Sequence, residues 1–175
     1  MNRKTVYYHD PLHDDFAPTN GRIRPKQIGA DFPYEHEGPL WNALAFVVYR
    51  MVMTPFLFLY CKLVFGLRIE NRKALRALPG GYFLYGNHTN TLADAFIPTL
   101  LAFPRRANII TSADTVSIPG VRNIVQMLGA IPLANTIDGT RQFLAAMHRR
   151  LERGQAVTIY PEAHIWPYYN GIRPF

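Results

Sequence analysis

Cysteine is nearly absent from this sequence. Cys61 is the only one, so no internal disulfide can form, and the chain fits a reducing compartment. Acidic residues are also few, 12 Asp and Glu against 19 Lys and Arg. The resulting formal charge of +7 favours an anionic partner: nucleic acid, membrane headgroups or a phosphorylated substrate. Nucleic acid is the least supported of the three, because the sequence has no RNA-binding aromatic signature, no zinc-finger spacing and no contiguous Lys/Arg block. The opening MNRKTVYYHDPLHDDF has no apolar core behind its basic residues and does not read as a secretory signal. The expected location is therefore the cytoplasmic side. Charged residues of both signs make up only 18% of the chain and hydrophobic ones 49%, too apolar for disorder and slightly rich for a freely soluble domain. Some apolar surface is expected to meet lipid, on a chain the size of one domain.

Residues 1–39 are polar and rich in Pro and Gly at intervals that leave no room for a useful helix, and they read as an arm. Within it, His9 and His13 lie among Asp10, Asp14 and Asp15. Pro11 interrupts the pair and nothing fixes ligand geometry, so a solvated turn is expected there and no metal site. From Trp41 the character changes: WNALAFVVYRMVMTPFLFLYCKLVFGL is 27 residues long with only Arg50 and Lys62 charged. Arg50 sits near the middle of the best spanning window, where a charge costs about 2.5–3.5 kcal/mol, and Pro55 interrupts the hydrogen-bond ladder beyond it. Residues 40–66 are thus expected to be a membrane-associating helical segment lying in the interface and bent near Thr54 and Pro55. A buried core helix and a single span are the alternatives. Arg68, Arg72, Lys73 and Arg76 follow, where anionic headgroups would be met.

Residues 67–175 alternate. The runs YFLYG, ANIIT, GAIPL and AVTIYP are short, apolar and bounded by Gly, Pro or Asn, as buried strands are. Helices are expected between them: over 93–102, over 119–128 with Ser117 as cap and Pro119 in the first turn, and over 139–153 with Phe143, Leu144, Met147 and Leu151 on one face. Strand alternating with helix implies crossovers, and so an α/β fold with a largely parallel sheet flanked by helices.

In such a sheet ligands gather beyond the carboxyl ends of strands. Asn87 and His88 follow the first strand directly, with Asp94 six positions on, and Glu162 follows AVTIYP. A histidine near a carboxylate suggests a base and its orienting acid. Read locally, the same residues also fit a loop hydrogen bond, a helix cap and a solvated turn.

In sequence order, the apolar stretch, GNHTNTLAD, VSIPGVRNIVQMLGAIPL and GQAVTIYPEAHIWPYYNGIRPF resemble the blocks of the glycerolipid acyltransferase family, over roughly residues 40–175. The resemblance implies that His88 is the general base that deprotonates an acceptor hydroxyl and that Asp94 orients its imidazole, with Asn87 bracing the turn. It implies acyl transfer from an acyl thioester, acyl-CoA or acyl carrier protein, to a lysophospholipid-type acceptor at a membrane lipid surface. Such a thioester is a co-substrate, and no cofactor is required. A non-catalytic lipid-binding relative and a thioester hydrolase are the competing readings.

The chain departs from the family pattern in several places. His88 and Asp94 enclose five residues, one more than is usual in the family. Where the family commonly carries arginines for the acceptor phosphate, GAIPLAN ends in Asn135 and PEAHI has Glu162, Ala163, His164 and Ile165. Glu162, His164 and Arg173 remain as candidate acceptor contacts, with Arg122 as a further possible substitute. The family continues beyond its third block, so the α/β domain is expected to lack its C-terminal part.

Overall fold

The structure is a computed structural model that describes residues 7–10, 13–16, 23–90, 93–118, 120–167, 169 and 171. Its centre is a four-stranded sheet built from β1 (Tyr82–Tyr85), β2 (Ala107–Thr111), β3 (Ala130–Pro132) and β4 (Ala156–Ile159). The spatial order is β1-β4-β2-β3, and every pairing is parallel. Each parallel neighbour requires a crossover. These are made by α4 (Ile97–Ala102), α5 (Arg122–Met127) and α6 (Ile137–Glu152), which gives the expected α/β fold. The step from β3 back to β4 runs opposite to the steps before it, and right-handed crossovers then place α6 on the other face from α4. The cores agree. Val157 of β4 packs with Phe143 and Ala146 of α6, whereas Ala156, one residue earlier, packs with Ala102 of α4.

The apolar stretch forms one continuous helix over Pro39–Val64, made of α1 (Pro39–Phe46), a π segment (Val47–Met53) and α2 (Thr54–Val64). Pro55 does not end it. Proline has no N–H and crowds the carbonyl four residues back, and the wider π turn absorbs this. The Thr54 backbone N–H and Oγ1 both donate to the Tyr49 carbonyl, the latter at 2.7 Å. The buried stripe runs Ala45, Tyr49, Thr54, Leu57 and Cys61, and its five-residue step falls at the π segment. Arg50 turns onto the domain, donating to the Pro104 carbonyl and lying 5.0 Å over the Phe103 ring. Arg72 at the start of α3 (Arg72–Ala77) also turns inward, to the Leu100 carbonyl at 2.7 Å. Arg68, Lys73 and Arg76 are exposed.

Three helix expectations need correction. The run over 93–102 is helical only from Ile97, because residues 93–96 are spent in turns. Helix α5 begins at Arg122 with no side-chain cap. Ser117 instead donates to the Ala113 carbonyl at 2.7 Å and accepts from the Lys26 N–H at 2.8 Å, while Pro119 lies outside the described residues. Helix α6 starts two residues early because Thr136 caps it, accepting from the Gly139 N–H at 3.0 Å. Its inward stripe is Gly139, Phe143 and Ala146, and Leu144 is exposed.

Part of the polar arm enters the core. Ile28 and Tyr34 are buried against Val116, Ile131 and Phe143, and the Tyr34 hydroxyl donates to the Pro132 carbonyl at 3.0 Å. Burial pushes that phenol up to about 12. Asn135 clamps the same segment, accepting from the Ile28 N–H at 2.7 Å and donating to the Lys26 carbonyl at 3.1 Å.

Glu35 forms ion pairs with Arg149 at 2.8 Å, Arg153 at 3.1 Å and Arg150 at 3.8 Å, the first close but off the hydrogen-bond direction. Burial pulls the Arg150 guanidinium down to about 10, still charged at neutral pH, and Glu35 is the counter-ion that opposes this shift. Glu35→Gln is expected to lower stability by about 1–3 kcal/mol, mostly through Arg150, because Arg149 and Arg153 are solvent-screened. Thermal unfolding checks this, with a drop of about 2–4 °C per kcal/mol. An unchanged midpoint would mean that solvent already compensates the cluster.

Candidate active site

Strands β1 and β4 are adjacent, parallel and aligned with Tyr85 opposite Ile159. His88 and Glu162 each stand three residues past those positions, so the shared register brings them side by side. The His88 backbone N–H donates to Glu162 Oε2 at 3.2 Å, and Glu162 is 5% exposed. Gly86 makes the strand end possible. A Cβ there would lie 3.0 Å from the Tyr160 ring, a contact tighter than side chains normally tolerate.

Asp94 is brought back to His88 by the turn that follows. Its Oδ2 lies 2.9 Å from His88 Nδ1 and accepts the Asn90 N–H at 2.8 Å, while Asn90 Oδ1 accepts the Ala93 N–H at 2.9 Å. Hydrogen bonds from Asn90 and Ala93 thus secure the approach to Asp94, and the extra residue does not separate the pair. An ionised carboxylate only accepts, so Nδ1 carries the proton and the lone pair sits on Nε2. His88 Nε2 makes no hydrogen bond with the described residues, and the side chain is 21% exposed against 8% for Asp94. A buried carboxylate behind a partly open imidazole can orient a base and stabilise the imidazolium that forms.

The other candidates lie around this pair at different distances. Asn87 donates to the Gly171 carbonyl at 3.3 Å, which ties Gly171 beside the strand end. Arg173 itself lies outside the described residues. His164 follows Ala163, which adopts a left-handed φ of 59°, and its Nδ1 is 3.9 Å from Asp15 Oδ2, beyond hydrogen-bond length. Arg122 is elsewhere: it lies over the Phe32 ring at 4.8 Å and lines a half-open cavity of about 500 Å³ with Lys26, Thr136 and Asp138. That cavity is at the β2–β3 side of the sheet, whereas His88 follows the opposite edge strand. Among the described residues no group of three or more His, Cys, Asp or Glu could hold a metal ion.

Sequence reasoning missed three participants. Tyr160 stacks on the His88 ring. The Trp166 backbone N–H donates to the His88 carbonyl at 2.9 Å. The N-terminal arm reaches the same region, where Asp15 accepts the Ile165 N–H at 2.9 Å and the rings of Tyr8 and Phe16 pack on Trp166 at 4.8 and 6.0 Å. YPE was visible as a strand end, but its partner strand was not, so nothing local pointed from Tyr160 to His88.

Fold and site together define an α/β protein with polar side chains gathered past the carboxyl ends of two neighbouring parallel strands, the position at which such folds bind and transform ligands. The Acyltransferase family model matches residues 66–173, and the chain belongs to this family, the glycerolipid acyltransferases. It is thus an acyltransferase. Comparison with curated proteins and with solved structures gives no match.

Proposed function

We propose that this acyltransferase moves a fatty acyl group from a thioester, acyl-CoA or acyl carrier protein, to a hydroxyl of a lysophospholipid-type acceptor, with His88 as general base. The observation that carries this is the 2.9 Å contact between His88 Nδ1 and the buried Asp94 carboxylate, which leaves Nε2 for the acceptor proton. Nε2 takes that proton as the acceptor oxygen attacks the thioester carbonyl. The carbon–sulfur bond then breaks, and the thiolate leaves with the proton. An activated thioester needs no covalent enzyme intermediate, only a placed base and donors for the oxyanion. Glu162 holds the His88 backbone, and His164 and Arg173 are the proposed acceptor contacts.

The test is thiol release from a long-chain acyl-CoA and from an acyl carrier protein thioester, each with and without a panel of lysolipids. Acceptor-dependent release supports transfer. Acceptor-independent release would identify a thioester hydrolase, and bound donor without release would identify a lipid-binding relative.

We further propose that the enzyme works from the cytoplasmic face of a membrane, with the helix over Pro39–Val64 lying in the interface. One face of that helix is buried along its length, while Leu44, Met51, Phe58, Leu59 and Leu63 on the remainder are exposed. Arg50, the costly charge for insertion, faces the domain. Lys62, Arg68, Lys73 and Arg76 are exposed close by for anionic headgroups. Leu59→Asp with Leu63→Asp is expected to weaken binding to anionic vesicles by about 100-fold or more, since each buried leucine contributes about 1.5–3 kcal/mol. Flotation of the full chain with vesicles measures it. Undiminished flotation would place the contact on another surface.

A further inference from the structure

We infer that Tyr160 is a positioning residue for the His88–Asp94 pair, holding the plane of the imidazole with its ring and the backbone of Asp94 with its hydroxyl. This rests on the reading of His88 as the base. The Tyr160 and His88 rings stack with centroids 4.6 Å apart and planes 17° from parallel. The hydroxyl of the same tyrosine donates to the Asp94 carbonyl at 2.6 Å. One side chain therefore touches both members of the pair, from the residue just past β4, 66 residues away in sequence from Asp94.

The two contacts restrain what the His88–Asp94 hydrogen bond leaves free. That bond fixes the Nδ1 end of the ring but allows it to tilt about the bond axis, and a flat aromatic face beneath removes the tilt. Asp94 sits after an extra residue, in a loop that could carry its carboxylate away from His88. The tether at its carbonyl opposes that drift. Tyr160 is itself held, with Gly86 against its ring edge. Burial, with the Asp94 carboxylate second, raises the phenol well above its usual range, so the hydroxyl stays protonated as a donor. A base displaced by about 1 Å can lose on the order of 100-fold in rate, which makes such restraint worth building.

Tyr160→Phe keeps the stack and removes the tether, whereas Tyr160→Leu removes both. In the full chain, with acyl-CoA and the best lysolipid of the panel, Phe is expected to lower kcat about tenfold and Leu about 100-fold, each with KM within about twofold. In a His88→Ala background neither should lower the residual rate further, because Tyr160 acts through the residue already removed. Wild-type kcat in Tyr160→Phe, or an equal loss in the His88→Ala background, would overturn the proposal and leave an ordinary packing residue.

A second readout needs no turnover. In protein labelled with nitrogen-15 at histidine, the His88 Nδ1–H should give a slowly exchanging proton signal, assigned by its loss in His88→Ala, that broadens in Tyr160→Phe and Tyr160→Leu. An unchanged signal would overturn the positioning role even in a protein that transfers no acyl group. A chain without turnover in which the signal broadens as expected would instead overturn the acyl-transfer reading alone. If Tyr160→Leu fails to fold, Tyr160→Phe decides both measurements.

Discussion

His88→Ala is expected to lower kcat/KM for acceptor-dependent acyl transfer by about 100- to 10,000-fold, the range a placed general base supplies. The variant removes the one imidazole that, among the described residues, is paired with a buried carboxylate, and Glu162 cannot replace it because its Oε2 is already engaged by the backbone N–H at position 88. That N–H survives in alanine, as does the Asn90 N–H on Asp94, so the strand end and turn should persist. Donor binding should therefore change little. The acyl-CoA assay of wild type and variant, with Kd for the donor measured separately, checks this. A loss below about tenfold would mean that another group takes the acceptor proton.

Asp94→Asn should have the next largest effect. Asp94 Oδ2 now receives two N–H groups, from His88 and Asn90, at 2.9 and 2.8 Å. If the amide keeps its oxygen toward both, geometry holds and only the charge behind the imidazolium is lost. A hydrogen bond between charged groups contributes about 1.5–3 kcal/mol, so kcat should fall about 10- to 150-fold. If the amide turns its NH₂ to His88, Nδ1 must accept and the proton moves to Nε2. The base is then the wrong tautomer, and the loss approaches 10,000-fold, roughly that of removing the histidine. Steady-state kinetics gives the magnitude, and the Nδ1–H signal of His88 tells the two cases apart. Full activity in Asp94→Asn would reduce Asp94 to a structural acceptor for the turn.

Much of the architecture was legible locally. ANIIT is β2 to the residue, YFLYG and AVTIYP contain β1 and β4, and GAIPL contains β3, because aromatic and branched runs between Gly, Pro and Asn leave few other conformations. Gly154 closes the last helix at a left-handed φ of 70°, a conformation that glycine adopts without steric cost. The site was legible in part. His88 and Glu162 stood just past strand ends in the sequence, and Asp94, six positions after His88, made with it a pairing that suggested a base and its orienting acid. Other features carried no such mark. Residues 23–36 look like any polar connector, yet Ile28 is 1% exposed, because burial depends on what lies opposite. The π segment is a compromise between Pro55 and a buried stripe that only a packed domain imposes.

By itself, the amino-acid order determined the periods of strand and helix, the apolar run and the residue types at each strand end, all set within a turn or two of chain. Tertiary structure decided which strand ends are neighbours. Only the parallel register of β1 with β4 places Tyr160 and Glu162 beside His88, and only the opposite-edge position of β3 separates Arg122 from it. Contacts such as the one from His88 to Glu162 cross 74 residues. Cooperative packing of both faces of the sheet sets such pairings, and no short window of sequence encodes them.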